Sequence, residues 1–269
     1  MRVGWLSSGR DQAACNLLAD VVARAQRDDL PLEIGAVFCD REPGEASESD
    51  RFLELVERLG FATVTLSSSA SWAAAQELGV SRGTWREEYH NGVIDLLVPY
   101  RLGVLVMAGY MLVASAAMCR RFAILNLHPA LPGGPTGTWQ EVIWQLLGEE
   151  ATETGAMIHL ATAQLDRGPV VSCFRFPLRG PGWGPLWQQF RRKRRTLSVA
   201  EIAAAEGEAE PLFAEIRRRG ELREIPLLYQ TLRQFAEGHL NTSQGAVFAE
   251  AARLPLDLSE TVEAEVAQR

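Results

Sequence analysis

Residues 103–129 read GVLVMAGYMLVASAAMCRRFAILNLHP. The first six, Gly103 to Ala108, are nearly all apolar, as a strand covered on both faces must be. Ser115 to Arg121 reads as a short helix, and Ala123 to Asn126 as a second apolar strand. The same alternation extends toward the N-terminus. Val3 to Leu6 is a short strand, and Ser7-Ser8-Gly9-Arg10 a turn. Asp11 to Arg27 is a helix with an apolar stripe at Ala14, Leu17, Leu18, Val21 and Val22. Glu33 to Phe38 and Ala62 to Leu66 are strands. Arg51 to Leu59 is a helix stopped by Gly60, and Trp85 to Val98 is another. Residues 67–80 are rich in Ser and Ala and ambiguous. Strands alternating with helices predict an α/β fold with a mostly parallel sheet and helices on both faces. Ligands in such sheets sit beyond the carboxyl ends of the strands. The loops that matter are therefore 7–12, 39–44, 109–114 and 126–138.

Downstream, Thr138 to Leu147 reads as a helix and Gly155 to Ala161 as a strand. After the turn Leu165-Asp166-Arg167-Gly168-Pro169, Val170 to Phe174 is a strand. Its connection is too short for a crossover, so it is antiparallel to its partner. From Arg179 the character changes. A Gly- and Pro-rich loop is followed by the basic run Arg191-Arg192-Lys193-Arg194-Arg195. Ser198 to Arg219 is helical with Ser198 as N-cap, and Glu224 to Ala236 is a further helix closed by Gly238. The tail from Asn241 is less patterned, and its end, from Asp257, is acidic and expected to be loosely held.

The chain has 269 residues and a formal charge of −7, with 47% apolar and 23% charged residues. That is ordinary globular composition. The acidic balance argues against a general nucleic-acid binder. No apolar run is long enough for a membrane span, and Met1 to Leu6 does not read as a signal peptide. Cys15, Cys39, Cys119 and Cys173 lack metal-ligand spacing and read as small buried hydrophobes of a reducing, cytoplasmic protein. Lys193 is the only lysine.

The chemistry-bearing signal is Asn126-Leu127-His128-Pro129. Side chains two apart on an extended segment share a face, so Asn126 and His128 project together where ligands bind. Pro129 favours extended backbone at His128. An amide donor beside an imidazole suits acyl transfer to an amine, since one can stabilise an oxyanion and the other can move protons. Asp166 reads either as a turn-former or as a carboxylate that orients His128.

The runs Val104 to Met111, Ile124 to Leu131, Thr154 to His159 and Leu165 to Val170, in that order and spacing, resemble the 10-formyltetrahydrofolate-dependent formyltransferase family. Its phosphoribosylglycinamide branch is the most similar. The resemblance runs from Met1 to about Cys173 and resumes at Glu224 to Leu240. It implies a Rossmann-like formyltransferase fold with a helical C-terminal extension. Residues 1–173 would be the catalytic domain, 174–240 a basic insertion and helical completion, and 241–269 a tail, partly disordered.

The resemblance also implies roles. Asn126, His128 and Asp166 would be catalytic, and His159 would support them. The acceptor amine would attack the formyl carbon directly. Asn126 and protonated His128 would stabilise the oxyanion, while Asp166 would hold His128 and pass a proton. 10-Formyltetrahydrofolate is the implied co-substrate, with no metal. It would lie against Met111, Leu112, Val113 and Ala114 and the loop containing Ala161, Thr162 and Asp166. The acceptor would meet Ser8, Gly9, Arg10, Asp11, Pro129 and Glu224. The implied setting is one-carbon metabolism and purine biosynthesis. The partner is a small-molecule amine, without nucleic acid or membrane, and a homodimer is compatible with it.

Two departures from the family pattern stand out. Leu112 replaces an arginine that binds the glutamate tail. Ser8-Gly9-Arg10-Asp11-Gln12-Ala13 replaces a Gly-rich phosphate turn, with Asp11 at the second glycine. Asp11 there would oppose a phosphate or, instead, cap the following helix. A nucleotide-linked amino sugar is thus an alternative acceptor. A formyltetrahydrofolate hydrolase is an alternative activity, disfavoured because such enzymes carry a further N-terminal domain. A non-catalytic folate-binding protein and a transfer-RNA formylating enzyme are disfavoured by the intact trio and by the helical segment after Cys173. The basic run reads as a solvated helix end or as a replacement anion site, with Trp183 and Trp187 stacking on a ring or packing the insertion.

Overall fold

The computed structural model describes residues 1–243, 245–250 and 253–268. An eight-stranded sheet has the order β10-β7-β6-β5-β4-β1-β2-β3, and β8 and β9 form a separate hairpin. The strands are β1 (Arg2–Ser7), β2 (Glu33–Cys39), β3 (Thr63–Thr65), β4 (Val104–Met107), β5 (Ile124–His128), β6 (Glu153–Leu160), β7 (Val170–Pro177), β8 (Leu240–Ser243), β9 (Ala246–Ala249) and β10 (Leu256–Asp257). β1 pairs in parallel with β2 and β4, β2 with β3, and β4 with β5. The β6–β7 connection is a hairpin: Leu160 N donates to Pro169 O (2.9 Å) near the turn, and Leu178 N to Thr152 O (2.8 Å) at the open end.

The chain forms two compact units: Met1–Asn126 with His159–Pro169 and Thr231–Leu254, and Leu127–Ile158 with Val170–Gln230 and Pro255–Arg269. Each unit is built from separate stretches of the chain.

The first unit contains α1 (Gln12–Arg27), α2 (Ser47–Arg58), α3 (Ser68–Glu77), α4 (Arg82–Leu97) and α5 (Ala116–Arg121). α1 buries Ala14, Leu18, Val21, Val22 and Ala25, a stripe at helical spacing. α3 settles the ambiguous 67–80 stretch: Ser67 caps it by accepting from Ala70 N. Leu6, Phe38, Trp85, Tyr89, Val93, Leu105, Tyr110 and Met118 share one buried cluster.

The second unit contains α6 (Trp139–Gly148), α7 (Gly184–Lys193), α8 (Val199–Glu206) and α10 (Ser259–Ala267), with α9 (Pro211–Ala236) ending past its limit. Ser198 does cap α8, in a reciprocal capping box with Glu201. The helix expected to run to Arg219 instead stops at Gly207, whose φ is +54°. α9 then runs unbroken through 219–224 and contains Pro226. Buried Glu210 restarts it, accepting from Phe213 N at 2.8 Å.

The tail is more regular than its sequence reads. β10 adds to β7 in parallel. Arg223 fixes α10 through two bonds to Glu263, at 2.6 and 2.8 Å. Residues 244, 251, 252 and 269 of that tail lie outside the described residues.

Candidate active site

At the carboxyl end of β1 the chain turns tightly. Ser8 N donates to Gly109 O (3.0 Å), and Ser8 Oγ accepts from Met111 N (3.1 Å). Gly9 has φ +56°, and a Cβ there would press on Phe52; only glycine fits without strain. Asp11 caps α1, its Oδ1 accepting from Ala14 N at 3.0 Å. One oxygen of the carboxylate thus serves the helix N-terminus, where a negative charge is favourable. Arg10 is exposed.

β5 carries Asn126 and His128. Asn126 Nδ2 lies 3.1 Å from His159 Nε2. His159 Nδ1 lies 2.9 Å from Leu160 O. A carbonyl only accepts, so Nδ1 donates and Nε2 is left to accept from the amide. Asp166 Oδ1 is 3.6 Å from that same Nε2. Asn126 and Asp166 therefore converge on His159, a residue that sequence reading gives only a supporting place. The available signal was its position on β6, next to a strand bearing Asn-x-His. His128 Nε2 donates to Pro135 O at 2.8 Å, which fixes the ring from the loop after β5.

Asp166 is buried, with φ +52°, an uncommon conformation that Asp tolerates better than most residues. Thr162 closes a local turn in the loop before it: its hydroxyl donates to Gln164 O (2.9 Å) and accepts from Gln164 N (3.3 Å). Ala161 N donates to Ile124 O at 2.7 Å. Met111 and Leu165 are more than half exposed, at 58% and 55%. Leu112 and Val113 are half-buried and Ala114 is buried.

In the second unit, Pro129 and Glu224 line one small cavity with Trp139, Thr154, Arg217 and Gly220. Its free space, about 20 Å³, is room for one water. Arg217 bonds Glu224 at 2.9 Å and Glu221 at 2.7 Å, and stacks 4.4 Å over the Trp139 ring. Burial pushes the Glu224 carboxyl up from its ordinary value, opposed by the Arg217 guanidinium.

Two of the five side chains of the basic run pair with carboxylates, while Arg192, Arg194 and Arg195 are exposed. Arg191 reaches Glu150 at 2.6 Å. Lys193 bonds Glu206 at 2.6 Å and the fully buried Glu210 at 3.1 Å. Trp183 and Trp187 are buried and pack the insertion, with Arg219 and Arg179 over their rings. All four cysteines are free, and burial raises each thiol, Cys39 to about 11. Among the described residues no His, Cys, Asp and Glu group could hold a metal, and no helix is long and apolar enough to cross a membrane.

The sheet is mostly parallel and Rossmann-like, with the amide of Asn126 and the imidazole of His159 on its strands and the carboxylate of Asp166 in the loop after β6. Residues 53–177, somewhat less than half of the chain, match the formyl transferase family. The phosphoribosylglycinamide formyltransferase of Escherichia coli (strain K12) is 26% identical over 217 residues, covering 78% of this chain and 80% of that protein. The Saccharomyces cerevisiae enzyme of the same name is 30% identical over 101 residues, 35% of this chain and 47% of that protein. Among solved structures, glycinamide ribonucleotide transformylase 1 from Symbiobacterium toebii shares the fold with a TM-score of 0.62, at 23% identity and 93% coverage of both chains. A formyltetrahydrofolate deformylase from Pseudomonas syringae pv. tomato shares it with a TM-score of 0.59 at 19% identity, covering 92% of this chain and 65% of that one.

Proposed function

We propose that the chain transfers the formyl group of 10-formyltetrahydrofolate to the primary amine of a small acceptor, as a phosphoribosylglycinamide formyltransferase does. The observation that carries this reading is the family match over 53–177, which contains Asn126, His128, His159 and Asp166. The amine nitrogen attacks the formyl carbon to give a tetrahedral intermediate, which collapses with cleavage of the carbon–nitrogen bond to the folate. The amine proton ends on the folate nitrogen. Asn126 and protonated His128 donate to the developing oxyanion, and Asp166 orients His128 and relays the proton through water. The convergence of Asn126 and Asp166 on His159 supports a role for His159 in setting both groups. Met111, Leu112, Val113, Ala114, Ala161, Thr162 and Asp166 face the folate. The exposed apolar side chains of Met111 and Leu165 suit a flat heteroaromatic ligand. Ser8, Gly9, Arg10, Asp11, Pro129 and Glu224 face the acceptor. The free cysteines suit a reducing compartment, the cytoplasm.

The test is incubation with 10-formyltetrahydrofolate, with and without glycinamide ribonucleotide. Acceptor-dependent formylation is the expected result. Formate release without an acceptor supports the deformylase reading, and no folate binding defeats both. His128→Ala and Asp166→Asn each lower turnover by about 10²–10⁴-fold and largely retain folate binding.

A further inference from the structure

α4 holds both ends of the segment 109–117, using two side chains that the chemistry above does not employ. Glu87 and His90 are three residues apart and so lie on one face of the helix. His90 is fully buried, at 0% exposure. Its Nδ1 is 2.9 Å from Arg86 O, and its Nε2 is 3.2 Å from the Tyr110 hydroxyl. The carbonyl can only accept, so Nδ1 carries the proton. Nε2 is then an acceptor, and the Tyr110 hydroxyl donates to it. Burial lowers the His90 pKa to about 4, which keeps the ring a neutral acceptor around pH 7.

Tyr110 opens the turn after β4. Its neighbours are clamped to Ser8, through Gly109 O on one side and Met111 N on the other. At the far end of the segment, Glu87 Oε1 accepts from Ala116 N (3.2 Å) and Oε2 from Ala117 N (3.5 Å). These are the first amides of α5. Between the two anchors Ala114 is buried in the same cluster as Tyr89, Val93 and Met118.

A histidine that merely filled core space would need only a satisfied ring. This one has a fixed tautomer, and its single acceptor meets the hydroxyl of a turn residue. One helical turn away a carboxylate secures the other end of the same segment. We propose that His90 and Glu87 are positioning residues for the co-substrate: His90 sets the start of the folate-facing segment through Tyr110, and Glu87 sets its end through α5. This rests on the reading that Met111 to Ala114 face 10-formyltetrahydrofolate. Neither side chain touches the substrate.

The test uses Tyr110→Phe, which removes only the hydroxyl, with Glu87→Ala and the conservative Glu87→Gln. In Tyr110→Phe and Glu87→Ala the KM for 10-formyltetrahydrofolate rises about five- to tenfold, the worth of one or two hydrogen bonds, while kcat stays within about twofold. Glu87→Gln keeps an acceptor and recovers most of the loss. In substrate-free protein, amide exchange at Met111 quickens in Tyr110→Phe and at Ala116 in Glu87→Ala, by a similar factor. An unchanged KM in both variants, or kcat falling while KM holds, overturns the proposal. So does unchanged exchange at both amides. Wild-type protein that fails to bind the folate defeats the folate reading itself, and the positioning of a co-substrate falls with it. The exchange arm then still reports whether α4 holds the segment.

Discussion

Asp166 and Gly168 depend on each other. Asp166 adopts a left-handed backbone with φ +52°, and the chain must immediately return beside β6. Leu160 N meets Pro169 O there, and a Cβ on Gly168 would overlap Leu160 O. Gly168→Ala must therefore move backbone. It is expected to cost about 1–3 kcal/mol and to lower turnover by displacing Asp166. Urea denaturation and steady-state rates read the two effects. Asp166→Asn separates them, because Asn tolerates the same backbone conformation and keeps the side chain's shape. Its turnover falls while its urea midpoint stays near the wild type. If both variants lose stability equally and activity only in proportion, the carboxylate has no role beyond the turn. Neither dependency is written locally. Leu-Asp-Arg-Gly-Pro announces a turn by composition, but the pressure on Gly168 comes from a strand end eight residues earlier.

At the scale of elements, a pattern was legible wherever a stripe or a cap wrote itself into neighbouring residues. β1, α1, β2, β4 and α5 follow their apolar patterns, and Ser198 caps α8 as its sequence suggests. Ser198→Ala is expected to cost about 1 kcal/mol, seen as a lower denaturation midpoint. The sequence reading divides α9 between Arg219 and Glu224, where Gly220 weakens the helical pattern, while the break falls at Gly207. Burial of Leu212, Phe213, Ile216, Leu227 and Leu228 along one helix outweighs that local signal. The role of α4 was hidden for another reason: a histidine in a helical sequence does not disclose its hydrogen-bond partner. It does leave a mark on stability. The folded pKa of His90 is about 4 against an ordinary 6.5, so between those values the unfolded chain binds a proton that the folded chain refuses. That contribution is fully present above about pH 6.5 and is lost as pH falls toward 4, amounting to about 3 kcal/mol. His90→Gln is expected to flatten this part of the pH–stability curve, measured by urea midpoints from pH 7 to 4.

The whole molecule carries one lysine and a charge of −7, and both look different once the partners are known. From sequence the Arg191–Arg195 run reads as a solvated helix end or as an anion site. In the fold, Arg191 answers Glu150, and Lys193 answers Glu206 and Glu210. The sequence could not reveal this, since those carboxylates come from a distant turn and from the next helices. Glu210 is fully buried and also accepts from Phe213 N at the start of α9. Its charge is tolerable because Lys193 and that amide stand against it. Lys193→Met removes the cation and strands the carboxylate, with an expected loss of about 3–5 kcal/mol. Lys193→Arg keeps the charge and should recover most of it. Formyl transfer by direct amine attack needs no enzyme amine, so Lys193→Arg should also keep turnover within about twofold, given the tenfold per 1.36 kcal/mol of barrier. Denaturation midpoints and formylation rates of the two variants decide the point. A stable Lys193→Arg protein without activity would place the only lysine in the chemistry and overturn the mechanism.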